Sequence, residues 1–138
     1  MNKRKERKSI WSQYKTLEII FYTDFFSYLQ NDNKLFVYDK FIIDVYKPRM
    51  QTHILKSNVC SCGISTSHFA IQLGHKQETP HINAWHISGE LKIVRLMTSD
   101  HIIPLSRGGL DDISNRQVLC MKCNMKNGDK IIGTHKTD

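Results

Sequence analysis

The apolar positions change period part-way along the chain. From Ser9 to about Gln30, in SIWSQYKTLEIIFYTDFFSYLQ, the residues Ile10, Tyr14, Leu17, Phe21, Phe25 and Leu29 recur at three- and four-residue steps. That spacing predicts a helix, with Ser9 as its cap. NDN at 31–33 breaks it. KLFVYDKFIIDVYKP continues apolar as a strand or a second helix, with Pro48 as its expected end. The aromatic stripe is expected in a core or against the rest of the domain rather than as a platform for stacked bases. Residues 1–57 thus read as a basic tail and an α-rich element, and the composition changes at NVCSCG, opening a second domain at 58–138.

Beyond the change the pattern shortens to strands. HFAIQL predicts a short strand and GHKQETP a polar loop. INAWHI and LKIVRLMTSDHI predict two strands joined by a tight turn at SGE. Pro104 to Asp112 reads as a loop and Gln117 to Leu119 as a short strand. Met121 to about Ile131 reads as a helix that Asn127 and Gly128 weaken. The fold class expected is α+β.

Composition narrows the class of protein. At 138 residues, with 40% hydrophobic and 24% charged content, the chain is expected to be globular, not disordered. No apolar run approaches the roughly 18 residues of a membrane span. MNKRKERKSIW starts positive but has no apolar stretch behind it, so an intracellular location is expected. Twenty Lys and Arg against thirteen Asp and Glu give a net charge of +7, which favours an anionic partner, nucleic acid first. Lys3, Arg4, Lys5, Arg7 and Lys8 crowd the start, as a solvated tail or a phosphate-contacting arm.

Four cysteines in a reducing compartment are more naturally ligands than disulfides. Cys60-x-Cys62 and Cys120-x-x-Cys123 form two pairs, and four thiolates can close a tetrahedral Zn²⁺ site that is structural and has no open position. Two unrelated buried thiol pairs, or a redox couple at the second pair, remain the alternatives. His53, His68, His75, His81, His86 and His135 show no partner pattern. Of these, His81 and His86 lie on or beside a predicted strand and are the two expected to approach a site.

The stretch DHIIPLSRGGLDDISNRQVLCMKCNMKNG resembles the HNH endonuclease motif, in the variant whose last histidine is an asparagine. CSCG, FAIQ, HINAW and LMTSDH upstream resemble the phage-type form, so the likeness covers roughly residues 58–130. The resemblance implies a ββα-metal core with a four-cysteine zinc site at Cys60, Cys62, Cys120 and Cys123. It implies Asp100 and Asn124 as ligands of a catalytic Mg²⁺ or Mn²⁺, and His101 as the general base. Asn115 would hold the His101 loop, while Arg107 and Lys126 would contact DNA phosphates. The implied activity is metal-dependent cleavage of DNA, nicking one strand per visit unless the protein forms a homodimer. The implied setting is the cytoplasm of a bacterial or phage-infected cell. The competing function is a zinc-stabilised DNA-binding module without catalysis.

Deleting residues 1–8 is expected to weaken DNA affinity and flatten its dependence on salt. Affinity unchanged across a salt series would make the tail a solubilising segment only.

Overall fold

The computed structural model describes residues 9–31, 34–89 and 93–127. The basic tail, the far end of the predicted C-terminal helix and His135 lie outside these residues, as does part of the turn around SGE.

The predicted N-terminal helix forms only in its second half. Ser9 caps no helix: a 3-10 turn at Trp11–Gln13 has Ile10 at its N-cap position, and the Ser9 hydroxyl, one residue earlier, accepts from the Ser12 amide at 3.2 Å. Lys15–Phe21 is strand β1 and Tyr22–Gln30 is helix α1. The seven residues KTLEIIF fit either helix or strand by period. Pairing with a buried strand decides, because it supplies backbone partners and cover for Leu17 and Ile20. Next come β2 at Leu35–Tyr38 and β3 at Phe41–Asp44, an antiparallel hairpin turning at Asp39, whose φ is +52°. Pro48 begins helix α2, Pro48–Leu55, instead of ending an element. A proline at the first helical position loses no hydrogen bond and arrives with its φ already helical. The N-terminal region is therefore mixed rather than α-rich.

The second half follows its predicted order. Strands β4 (His68–Leu73), β5 (His81–Ile87), β6 (Val94–His101) and β7 (Arg116–Cys120) lead into helix α3 (Met121–Asn127). All pairings are antiparallel and the sheet order is β1-β4-β5-β6-β7. A strand from residues 1–57 thus caps a meander built entirely from residues 58–138.

Both faces of the sheet are covered. On one, α1, α2 and the hairpin bury Phe25, Ile43, Val45 and Met50 against Phe69, Ile71, Ala84 and Met97. Phe25 packs 4.9 Å from Phe69 and edge-on to Phe36 at 5.4 Å, burying the aromatic stripe as core. On the other, Trp85 is fully buried with Ala70 and Leu96, under Trp11, Tyr14 and Met121. Gln72, also fully buried, meets the polar demand inside this layer. It donates to Thr16 Oγ1 at 2.9 Å and accepts from Trp85 Nε1 at 2.8 Å and Asn83 Nδ2 at 2.9 Å.

Helix α2 carries a buried histidine. Thr52 Oγ1 donates to Pro48 O, but His53 Nδ1 is buried with no hydrogen-bond partner. Burial, aided by the nearby Arg49 charge, pushes the His53 imidazole down to about 4. Its folded value lies below the unfolded 6.5, so its contribution is complete above about 6.5 and is lost as pH falls toward 4. Unfolding in urea should show stability falling across that window, by about 3 kcal/mol at most from this group. His53→Gln should flatten the slope; an unchanged slope would assign the acid sensitivity to other groups.

Candidate active site and cysteine cluster

The candidate residues gather at the ends of β6 and β7. Along β6, Thr98 and Asp100 point to the face that carries α3, while Ser99 and His101 point to the α2 face. Asn124 Nδ2 on α3 donates to Thr98 Oγ1 at 3.0 Å, which puts Asn124 on the Asp100 face, one strand repeat away. Asp100 Oδ1 accepts from the His101 amide at 2.9 Å. Asp100 Oδ2 and Asn124 Oδ1 have no hydrogen-bond donor among the described residues. Two free oxygens of this kind form a hard donor set suited to a hydrated divalent cation.

His101 is held from the other side. Its Nε2 lies 2.8 Å from Asp111 Oδ1, and Arg116 Nη2 donates to the same oxygen at 3.1 Å. The hydrogen bond from His101, then that from Arg116, holds the exposed Asp111 carboxyl below its usual range. Arg116 Nη1 also donates to Ser99 Oγ at 3.0 Å, and Ser99 Oγ donates to Thr52 Oγ1 at 2.8 Å. A polar chain therefore runs from the imidazole to the middle of α2. None of Asp111, Arg116, Ser99 and Thr52 was singled out from the sequence. The Asp111-Asp112 doublet was the available signal, and only its second member has an ordinary role, accepting from the Ser114 amide.

The loop between β6 and β7 is fastened by Asn115. Its Oδ1 accepts from the Ile103 amide at 2.9 Å, and its Nδ2 donates to Ile103 O at 2.9 Å and Leu110 O at 2.7 Å. The Ile102 amide donates to Asn115 O at 2.7 Å. Gly109 sits under this clasp: a Cβ there would meet Ile103 O at 1.9 Å and Asn115 Nδ2 at 2.8 Å. Gly108 adopts φ +88°, a left-handed turn in which a side chain is strained. The doubled glycine thus has two separate reasons. Arg107 and Lys126 are exposed, without an ion-pair partner among the described residues. His81 faces Lys47 and Arg49, and His86 Nδ1 lies 2.8 Å from Ser65 O.

The four cysteines converge. Their sulfurs all lie within 4.8 Å of one another, so this cluster could hold a metal ion. Cys60 N donates to Ile64 O and Gly63 N to Cys60 O, both at 2.8 Å, with Gly63 at φ +102° closing the first knuckle. The second forms where β7 passes directly into α3, the Cys123 amide pointing at Cys120 Sγ. Burial disfavours ionising Cys60, yet hydrogen bonds from the Cys62 and Cys120 backbone and the neighbouring thiols outweigh it and bring it down to about 7. Burial and the surrounding sulfurs push Cys123 up to about 12. Four thiols so close resist joint ionisation unless a cation neutralises them.

Residues 91–135 match the family model described as HNH endonuclease. This segment is similar to the HNH endonuclease family. It contains β6, β7 and α3, hence Asp100, His101, Asn115, Asn124 and the second cysteine pair. No curated protein and no solved structure matches the chain. No helix among the described residues is long and apolar enough to cross a membrane.

Asn115→Ala removes three side-chain hydrogen bonds at a buried position and should cost about 2–4 kcal/mol. Gly109→Ala should cost at least as much, since the blocking atom is backbone. Chemical denaturation checks both, and wild-type stability in either variant would remove the clasp from the account of this loop.

Proposed function

We propose that the protein is a metal-dependent DNA endonuclease of the ββα-metal type. The observation that carries this reading is the bond from Asn124 to Thr98. It sets the asparagine amide on the face of β6 that bears Asp100, within the HNH segment. Asp100 and Asn124 would hold Mg²⁺ or Mn²⁺, which when bound neutralises the phosphodiester and its leaving oxygen. The other steps belong to side chains of this chain.

His101 is the general base. A proton on Nε2, donated to Asp111, leaves the Nδ1 lone pair to take a proton from the attacking water. Arg116 fixes Asp111 in turn, so the ring is oriented before substrate arrives. Asn115 positions the loop that carries Asp111 and does not touch the ion. Arg107 and Lys126, both exposed, serve as contacts to flanking phosphates. One site of this kind nicks one strand at a time, and cutting both takes a homodimer or two visits. Location in the cytoplasm of a bacterial or phage-infected cell belongs to the same reading, as does the treatment of 58–138 as the nuclease domain.

Zn²⁺ is the ion that suits the cysteine cluster. Tetrahedral thiolates on zinc bonds of about 2.3 Å lie about 3.8 Å apart, and Cys62 Sγ to Cys120 Sγ is 3.9 Å. Its task is structural, fastening the start of α3 to the knuckle at Cys60–Gly63.

The reading is tested with supercoiled plasmid and Mg²⁺, Mn²⁺ or chelator. Metal-dependent nicking is expected, with His101→Ala lowering kcat by about 10²–10⁴-fold. Asp111→Asn should lower kcat with little change in KM, because it disturbs the orientation of the base. Binding without cleavage under every metal would leave the DNA-binding module as the function.

Zinc carries its own test. Exhaustive treatment with a strong chelator should lower Tm, and Cys62→Ser should abolish the metal-dependent part of that stability. Equal Tm with and without metal would leave the four thiols as packing only.

A further inference from the structure

Strands β5 and β6 part company before they end. Their pairing runs from Ile87↔Val94 to Ala84↔Met97 and stops there. Beyond that point β5 remains paired only to β4, as far as His81, and β6 only to β7, as far as His101. The wedge between them is a cleft of about 120 Å³ lined by Asn83, Thr98 and Ser99, with Arg49 and His53 of α2 over it. A second hollow of about 200 Å³ continues past Arg49 to Lys47, Thr79 and His81.

Positive charge collects along this path without an answering acid. Lys47, Arg49 and His81 are exposed, and both ion pairs among the described residues are made by Asp111. The carboxylate bordering the second hollow, Asp44, accepts from the Tyr46 amide at 2.8 Å and pairs with neither cation. Burial lowers both His53 and His81, and Arg49 adds to it at both, with Lys47 adding further at His81, so these cations sit close to the wedge. His53, nearly fully buried where α2 lines the cleft, has an Nδ1 without a hydrogen-bond partner. An unpartnered buried nitrogen beside free cations calls for an oxygen-rich anionic ligand.

We infer that the cleft between β5 and β6, with Lys47, Arg49 and His81 at its mouth, binds a backbone phosphate of the DNA strand beside the one that is cut. This rests on the nuclease reading for the position of the cut. Its own basis lies outside the HNH segment, on α2 and β5. The cleft wall is the back of the active site: Thr98 receives Asn124 and Ser99 receives Arg116. Ser99 and Asp100–His101 are successive positions of one strand, so a nucleic-acid strand reaching His101 passes the open edge of β6. The occupant is a phosphodiester oxygen rather than a base, because the mouth offers the Lys47 and Arg49 charges and the His81 ring nitrogens, while the one aromatic ring lining the cleft, half-buried Tyr14, packs edge-on to Trp85.

The experiment measures anisotropy of a labelled DNA duplex across a salt series without added Mg²⁺, for wild type and Lys47→Ala/Arg49→Ala. Both residues are exposed, so the fold should persist, and an unchanged Tm checks this. The double variant should bind about tenfold more weakly, with a salt slope shallower by about 2. With Mg²⁺, KM should rise while kcat at saturating DNA holds. Unchanged affinity and slope would overturn the assignment while leaving cleavage by the wild type, and so the nuclease reading, intact. A wild type that never cuts, paired with a variant that binds weakly, would overturn the nuclease reading and retain the cleft as a phosphate site. Inorganic phosphate shifting the His81 ring resonances, with DNA affinity equal in both proteins, would make this a free-phosphate site and overturn the strand assignment.

Discussion

The arrangement at the end of β6 depends on one amide. Asn115 bonds both polar groups of Ile103 and the carbonyl of Leu110, so the excursion from 102 to 115 is closed at its neck. Without that closure nothing sets Asp111 against His101, because Asp111 is exposed and reaches the imidazole only through the course of its loop. Gly109 makes the closure physically available by leaving room for the Ile103 carbonyl. Order thus passes from a glycine without a side chain, to an asparagine with every polar atom used, to an acid, to the His101 ring. Each step is local, and together they convert a surface loop into a positioned group.

The polar chain extends this order across the domain. Arg116 joins Asp111 to Ser99, and Ser99 joins β6 to Thr52 on α2. A helix from the N-terminal region therefore shares hydrogen bonds with the strand that bears the candidate base. At the far end of β7 the four cysteine sulfurs gather instead, where Cys60–Gly63 meets the start of α3. One end of the strand pair thus carries oxygen and nitrogen contacts and the other a cluster of sulfurs.

What could be read from the sequence was whatever the chain encodes at short range. HFAIQL, INAWHI and the stretch ending in TSDH show β alternation or β-rich composition, and they are strands here. The cysteine pairs are near-neighbour patterns, and their convergence needed only that both knuckles face one point. The N-terminal stretch misled because an aromatic and aliphatic residue every three or four positions satisfies a helix even when Lys15–Phe21 is drawn out against β4. Pro48 misled because a proline closes one element and opens the next with equal ease. Arg116, Ser99 and Thr52, and the partnership of Asp111 with them, were hidden for a different reason. They span residues 52 to 116, and no spacing rule links them; only the sheet register and the seat of α2 bring them together.

The sheet order also carries a consequence for how the chain finds this shape. Strands β4 to β7 are sequence neighbours, and their hairpins close over short spans. β1, by contrast, joins β4 only after residues 22–67 have been looped out between Phe21 and His68. Closing a loop of that length forfeits about 3 kcal/mol of chain entropy before any contact repays it. On a growing chain β1 emerges first and pairs late, since its partner edge does not exist until β4 has been made. Strand β1 thus waits through the synthesis of two helices' worth of chain and a hairpin before its partner exists. In that interval Ile19 and Ile20, β-branched neighbours on an unpaired strand, are what the folding chain has to keep from other chains.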